Sequence, residues 1–182
     1  MERVNLVKIL IILSTLLYLV SFFAPWVYHQ WASLIPEETY GEGLYWSYRG
    51  IIRIHGSWAR YIDMSFFDFW DMHRSSYHVG WINVFFFQLL AVTFGCIGIF
   101  LEAISKGRRE VKIVVAVVAL LSSVLSLLYC AFQMRNYTRS FNIVDFHLGF
   151  WIAVSACILF FVTLVAEIFT FISKRRSLTE TM

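Results

Sequence analysis

Four long apolar runs divide the chain, separated by polar connections of unequal length. A helix that crosses a bilayer needs roughly 20 mostly apolar residues, and the runs at about 6–26, 79–101, 111–134 and 148–172 each reach that scale. The pattern predicts a single four-span membrane domain, with outer loops at about 27–78 and 135–147 and a short basic connection between the second and third spans. Lys8 lies inside the first run near its end, where its stem can follow apolar surface while the ammonium reaches the headgroups. The first run can also be read as a signal peptide. Its apolar stretch exceeds the roughly 7–15 residues of such a segment, and Pro25-Trp26 stands where small residues would mark cleavage, so an uncleaved span is expected.

Within the runs the small residues are periodic. Ala91, Gly95 and Gly98 fall on one face of the second span; Ala116, Ala119, Ser123, Ser126 and Cys130 on one face of the third; Gly149, Ala153 and Ala156 on one face of the fourth. Small side chains let membrane helices approach closely, and this heptad-like spacing predicts a left-handed four-helix bundle.

The first loop divides in two. After Pro36 and Gly41, the stretch "LYWSYRGIIRIH" is rich in aromatic and β-branched residues and predicts one or two strands turning near Gly50. Leu44, Tyr45 and Trp46 are expected in the first strand of an outer antiparallel sheet, with Gly43 at a turn or close backbone approach. The following "SWARYIDMSFFDFWDMHR" mixes aromatics with charges and lacks Pro and Gly, which predicts a short amphipathic helix at the outer membrane surface, where Trp and Tyr settle.

Composition agrees with the runs. Of 182 residues, 59% are hydrophobic, 19% aromatic and only 15% charged, too apolar for an ordinary soluble domain. The net charge of +3 is too small to argue for nucleic acid. Its distribution sets an orientation. Arg3 and Lys8 flank the first span, Lys106, Arg108, Arg109 and Lys112 crowd the second connection, and Lys174, Arg175 and Arg176 follow the fourth span. Basic residues concentrate in cytoplasmic loops, so both termini are expected in the cytoplasm and both long loops outside.

Cys96, Cys130 and Cys157 all fall within spans, away from the compartment where a disulfide would form, and no CxxC occurs. They are expected to be small buried hydrophobes. His55, His73, His78 and His147 share the outer side with Asp68 and Asp71, and Asp71 and His73 could meet one metal on an extended segment; ordinary interfacial polar residues are the expected reading. His78 and His147 each open a span at the same face, as two haem ligands would; capping or headgroup contact is the expected reading, since their depth is shallow and no other haem signature appears. Glu167 and Gln88 are isolated polar residues within spans, the first open to pairing near Lys174, the second a candidate interhelical donor. "NYT" from Asn136 matches a glycosylation acceptor, and the terminal "TETM" could serve as a ligand for a carboxylate-capturing domain. Neither a phosphate-binding glycine loop nor a nucleophile elbow nor a paired helical His-Glu motif occurs.

Pro25 and Trp26 close the first span, and "EGLYW", Glu42 to Trp46, follows in the loop. This arrangement resembles the claudin and peripheral-myelin-protein superfamily: four spans, cytoplasmic termini, and an outer loop bearing a tryptophan and then a G-L-W motif followed by a cysteine pair. Trp26 is similar to the early tryptophan. Gly43 and Leu44 match the first two motif positions, with Tyr45, or Trp46 after a one-residue insertion, at the third. "DFHLGFWIAVSA" is similar to the family's entry into span four. Tyr48 stands where the first cysteine would be, and no second cysteine appears in the loop. The resemblance implies a four-helix bundle under a small extracellular antiparallel sheet, held here by aromatic packing and the membrane surface, with adhesion, paracellular-channel or partner-modulating roles.

Together these readings predict a non-enzymatic, multi-pass plasma-membrane protein, claudin-like, acting at the cell surface through its outer sheet and helix faces. Its expected partners are membrane lipids and either further copies of itself or other membrane proteins, with no nucleic acid, cofactor or metal. The alternatives are a small channel or transporter, or a metal- or haem-containing subunit of a membrane redox complex.

Overall fold

The computed structural model describes residues 2–32, 40–45, 49–55, 60–65, 76–104, 109–137 and 143–179. It is mostly helical. Four helices, α1 (Glu2–Phe23), α2 (Ser76–Ile104), α3 (Arg109–Tyr137) and α4 (Leu148–Thr179), are each long and apolar enough to cross a membrane. The strands are β1 (Val27–Ala32), β2 (Tyr40–Tyr45), β3 (Arg49–His55) and β4 (Arg60–Ser65), between α1 and α2, and β5 (Ile143–Phe146), between α3 and α4.

The helices form a ring. Each of α1 and α3 packs on both α2 and α4, so α1 faces α3 across the diagonal. Packing is most extensive within two pairs, α2 on α3 and α1 on α4, and sparser between those pairs. Large apolar side chains point outward all along the ring, among them Leu13, Leu16 and Val20 of α1, Phe86 and Phe100 of α2, Leu121 and Leu128 of α3, and Phe161 and Phe169 of α4. A helix apolar all round needs either a protein interior or lipid around it. The buried interior is made of smaller or polar-tipped side chains: Ser14, Tyr18 and Ser21 of α1, Val84, Gln88 and Ala91 of α2, Ala116, Ala119, Ser123 and Cys130 of α3, and Ala153, Ala156 and Phe160 of α4. Gly95, Gly98 and Gly149 are also buried.

All five strands join one antiparallel sheet in the order β4-β3-β2-β1-β5. Two of its members are direct extensions of helices. β1 follows α1 after Ala24, Pro25 and Trp26, and β5 enters α4 through His147. These two strands pair with each other, Val27 opposite Phe146 and Gln30 opposite Ile143. The sheet thus grows from the α1–α4 pair at one end of the bundle.

Several expectations are corrected. "EGLY" lies in the second strand, not the first, because Val27–Ala32 already forms a strand against it. Gly43 is no turn residue: it sits mid-strand, with His29 on one side and Ile52 on the other. Gly50 is paired within β3, opposite Tyr45, so the chain reverses before it. Arg60–Ser65 is a strand rather than part of a surface helix, since β3 offers it a backbone ladder from Arg49 to Ile54, while the remainder of that expected helix lies outside the described residues. The third connection carries β5, and α4 continues through Lys174, Arg175 and Arg176 to Thr179. Cys96 is exposed on the ring's outer surface instead of buried, whereas Cys130 is buried and Cys157 half-buried; all three are free thiols.

Candidate functional site

Three polar or tightly packed places organise the molecule. The first is the joint between bundle and sheet. Pro25 lacks an N–H and disfavours helix before it, so α1 stops at Phe23 and hands the chain to Trp26. The Trp26 indole is fully buried, and its Nε1 donates to Ser21 O at 2.8 Å. It meets Phe150 edge to face at 6.1 Å, and Phe150 in turn stacks on Phe146 of β5 at 3.9 Å. Two backbone bonds tie the strand side to the helix side: His147 N donates to Trp26 O and Gly149 N to Pro25 O, both at 2.8 Å. His147 O accepts from Phe150 N at 3.0 Å, which starts α4. Only a glycine fits at 149, because a β-carbon there would lie 2.6 Å from Ala24 O and 2.7 Å from both Pro25 O and the Trp26 ring.

The second place is the middle of the bundle. Tyr18 of α1 is fully buried and crosses the diagonal to α3, where its hydroxyl bonds Ser126 Oγ, with a longer contact of 3.4 Å to Ser123 O. Its ring leans on Phe160 of α4 at 6.1 Å. One turn nearer the sheet, Gln88 of α2 donates through Nε2 to Ser21 Oγ at 3.2 Å. Ser14, Thr15, Ser21 and Thr163 spend their hydroxyl hydrogens on carbonyls of their own helices. This local bonding lets hydroxyls reside in a water-free interior.

The third place lies at the opposite end from the sheet. Lys112 Nζ of α3 meets Glu102 Oε1 of α2 at 2.5 Å, and both side chains are largely buried. Arg109 Nη1 donates to Thr170 O of α4 at 2.7 Å. Glu167, buried on α4, lies beside Glu102, Lys112 and Arg109. Two acids and two bases from three helices therefore close this end.

The residues singled out from sequence fall as follows. Trp26 and Gly149 meet at the joint. Glu42, Gly43, Leu44 and Tyr45 run along β2, and Trp46 lies outside the described residues. Gly95 and Gly98 face α1, at Thr15 and Ile11. Ala116, Ala119, Ser123 and Ala153 are buried in the ring. His55 ends β3 and His78 lies in the first turn of α2, while Asp68, Asp71 and His73 lie outside the described residues. Among the described residues no three His, Cys, Asp or Glu side chains gather as a metal site. Asn136 belongs to the last turn of α3. Sequence reasoning missed Tyr18, Ser21 and Glu102, and it marked Ser126 only as a small packing residue. One signal was present: Ser14, Tyr18 and Ser21, spaced four then three, mark a single polar line on an otherwise apolar helix.

No protein-family model matches the chain, and no curated protein matches it.

Proposed function

We propose that this chain is a non-enzymatic, claudin-like protein of the plasma membrane, four times spanning, with both termini in the cytoplasm and the sheet at the cell surface. Its role is structural, adhesive or accessory. It acts through the outer sheet on other membrane proteins or further copies of itself, within a left-handed bundle bathed in lipid. The observation that carries this reading is the sheet's attachment. A five-stranded sheet is rooted in two adjacent helices through the buried Trp26, Gly149 and Phe150. Such a joint holds a recognition surface rigidly without a disulfide. An antiparallel sheet also offers edge backbone groups to a partner strand. Co-purification from mild detergent tests the proposal. Differently tagged copies, or a second membrane protein, are expected to be recovered with the wild type and lost when Trp26→Ala unseats the sheet. Recovery of neither would overturn it.

A second reading, a small channel or transporter, draws on the buried polar residues from Gln88 through Tyr18 and Ser126 to Glu167. Ion flux into liposomes holding the pure protein separates the two: the first reading expects none.

A further inference from the structure

The interior around Tyr18 holds more hydrogen-bonding capacity than its side chains use. The directions of the bonds can be assigned. Ser21 Oγ gives its hydrogen to Tyr18 O at 2.6 Å, so it meets Gln88 only as an acceptor, and Gln88 Nε2 must face it. Turning the amide over would set Oε1 against an oxygen with no hydrogen left to give. Gln88 Oε1 therefore faces elsewhere, fully buried and without a partner. On α3, Ser126 Oγ donates to Ser123 O at 2.9 Å, so the Tyr18 hydroxyl is the donor to Ser126. Ser123 Oγ is likewise buried and unpartnered. It does not bond its own helix as Ser14, Thr15 and Ser126 do. The Cys157 thiol lies beside it but is only a weak hydrogen-bonding partner.

We propose that this core is a water-binding site, with ordered water donating to Gln88 Oε1 and bonding Ser123 Oγ inside the bundle. A buried acceptor left unmet is costly, more so where lipid surrounds the protein. Internal water meets such groups, typically with about three hydrogen bonds each. Ala91, Cys130, Ala153 and Ala156, all small, belong to the same buried core as Tyr18. Both oxygens are wholly buried, which excludes a lipid headgroup or a partner's side chain as the donor. The described carboxylates within the bundle, Glu102 and Glu167, stand at the far end beside Lys112, so a neutral ligand suits the site better than a cation. The site also lies where α1 of one helix pair faces α2 and α3 of the other, the sparser of the ring's packings.

The full chain in lipid nanodiscs, labelled with ¹⁵N-glutamine, provides the test. The sequence has only three glutamines, Gln30, Gln88 and Gln133, so Gln30→Asn and Gln133→Asn variants assign the Gln88 amide by elimination. A direct dipolar cross-peak between water and the Gln88 side-chain amide is expected. Gln88→Leu should also lower the thermal midpoint, because Ser21 and the water both lose a partner. Absence of the cross-peak overturns the proposal, as does a rise in midpoint for Gln88→Leu, which would mark Oε1 as an unmet acceptor. Should Gln88→Leu fail to fold, the cross-peak in the wild type decides alone.

Discussion

Gly149 lies directly against Trp26, with no space between them for a side chain: a β-carbon would come within 2.7 Å of the indole Cδ1. The other two obstacles, the carbonyl oxygens of Ala24 and Pro25, are backbone atoms that cannot swing aside. Gly149→Ala should therefore force apart α4 and the α1–β1 link and destabilise the protein by about 1–3 kcal/mol. Denaturant unfolding in detergent measures this. Ser155→Ala, on an exposed position of the same helix, should change stability by no more than about 0.5 kcal/mol.

Trp26 itself joins three things: the end of α1 through Ser21 O, the start of α4 through Phe150, and the first strand through its own backbone. Trp26→Ala removes a fully buried large aromatic, a change that typically costs about 3–5 kcal/mol. The sheet should lose its seat before the helices separate. Limited proteolysis is expected to cut within 27–75 faster in this variant than in wild type, while the helical circular dichroism signal changes little. Equal cutting rates would mean that the sheet is held elsewhere.

Gly95 and Gly98 look alike in sequence but face different obstacles. A β-carbon at Gly95 would meet Thr15 at its branched, stiff Cβ, Oγ1 and Cγ2, whereas at Gly98 the first obstacle is Ile11 Cδ1, the far end of a flexible side chain. Gly95→Ala should cost about 1–3 kcal/mol and Gly98→Ala less. Thr15→Ala should recover much of the Gly95→Ala loss, because the two changes share one space. Unfolding midpoints of the singles and the double give the coupling.

The four helices were legible because an apolar run of spanning length is unambiguous in any register. The sheet was legible only where β-branched and aromatic residues clustered, as in Arg49–His55. Val27–Ala32 and Ile143–Phe146 are short: the first is held as a strand between β2 and β5, and the second becomes one only by finding the first across the chain. Arg60–Ser65 carries charges and aromatics that suit an interfacial helix equally well, and β3 decides the matter. The small residues of the bundle announced themselves by spacing. Its polar centre did so only in part: Ser14, Tyr18 and Ser21 fall at helical spacing, but nothing in "LSTLLYLVS" names Ser126 as the partner of Tyr18.

That pairing is measurable. Tyr18→Phe keeps the ring against Phe160 and removes only the hydroxyl that reaches Ser126. Interhelical hydrogen bonds in membranes average about 0.6 kcal/mol in double-mutant cycles. Tyr18→Phe with Ser126→Ala should show a coupling of about that size or somewhat more, given that the pair is wholly buried. A coupling indistinguishable from zero would mean that packing alone aligns α1 with α3.

The orientation expected from the basic residues has a direct assay. Accessibility tags after Met182 and near Gly107 should report cytoplasm, and a tag near Glu37 should report the outside. Opposite placement of the two termini would be incompatible with four spans.

The charged end of the bundle makes the sharpest distinction between losing a pair and losing a partner. Lys112 and Glu102 touch at 2.5 Å with side chains 14% and 7% exposed, and Glu167 lies beside them. Taking Lys112 away leaves two buried carboxylates facing each other, with Arg109 already bonded to Thr170 O. Breaking one side of a buried pair typically costs about 3–5 kcal/mol, whereas replacing both sides by apolar residues of similar size is often neutral. Lys112→Met should accordingly destabilise strongly. Lys112→Met with Glu102→Leu should recover a large part of the loss, and the remainder should shrink again when Glu167→Gln removes the second carboxylate. Unfolding of this series at low and high salt would measure each step, with little salt dependence expected because the groups are shielded from solvent. If Lys112→Met proved harmless, the carboxylates would be reaching water at this end or sharing a proton between them.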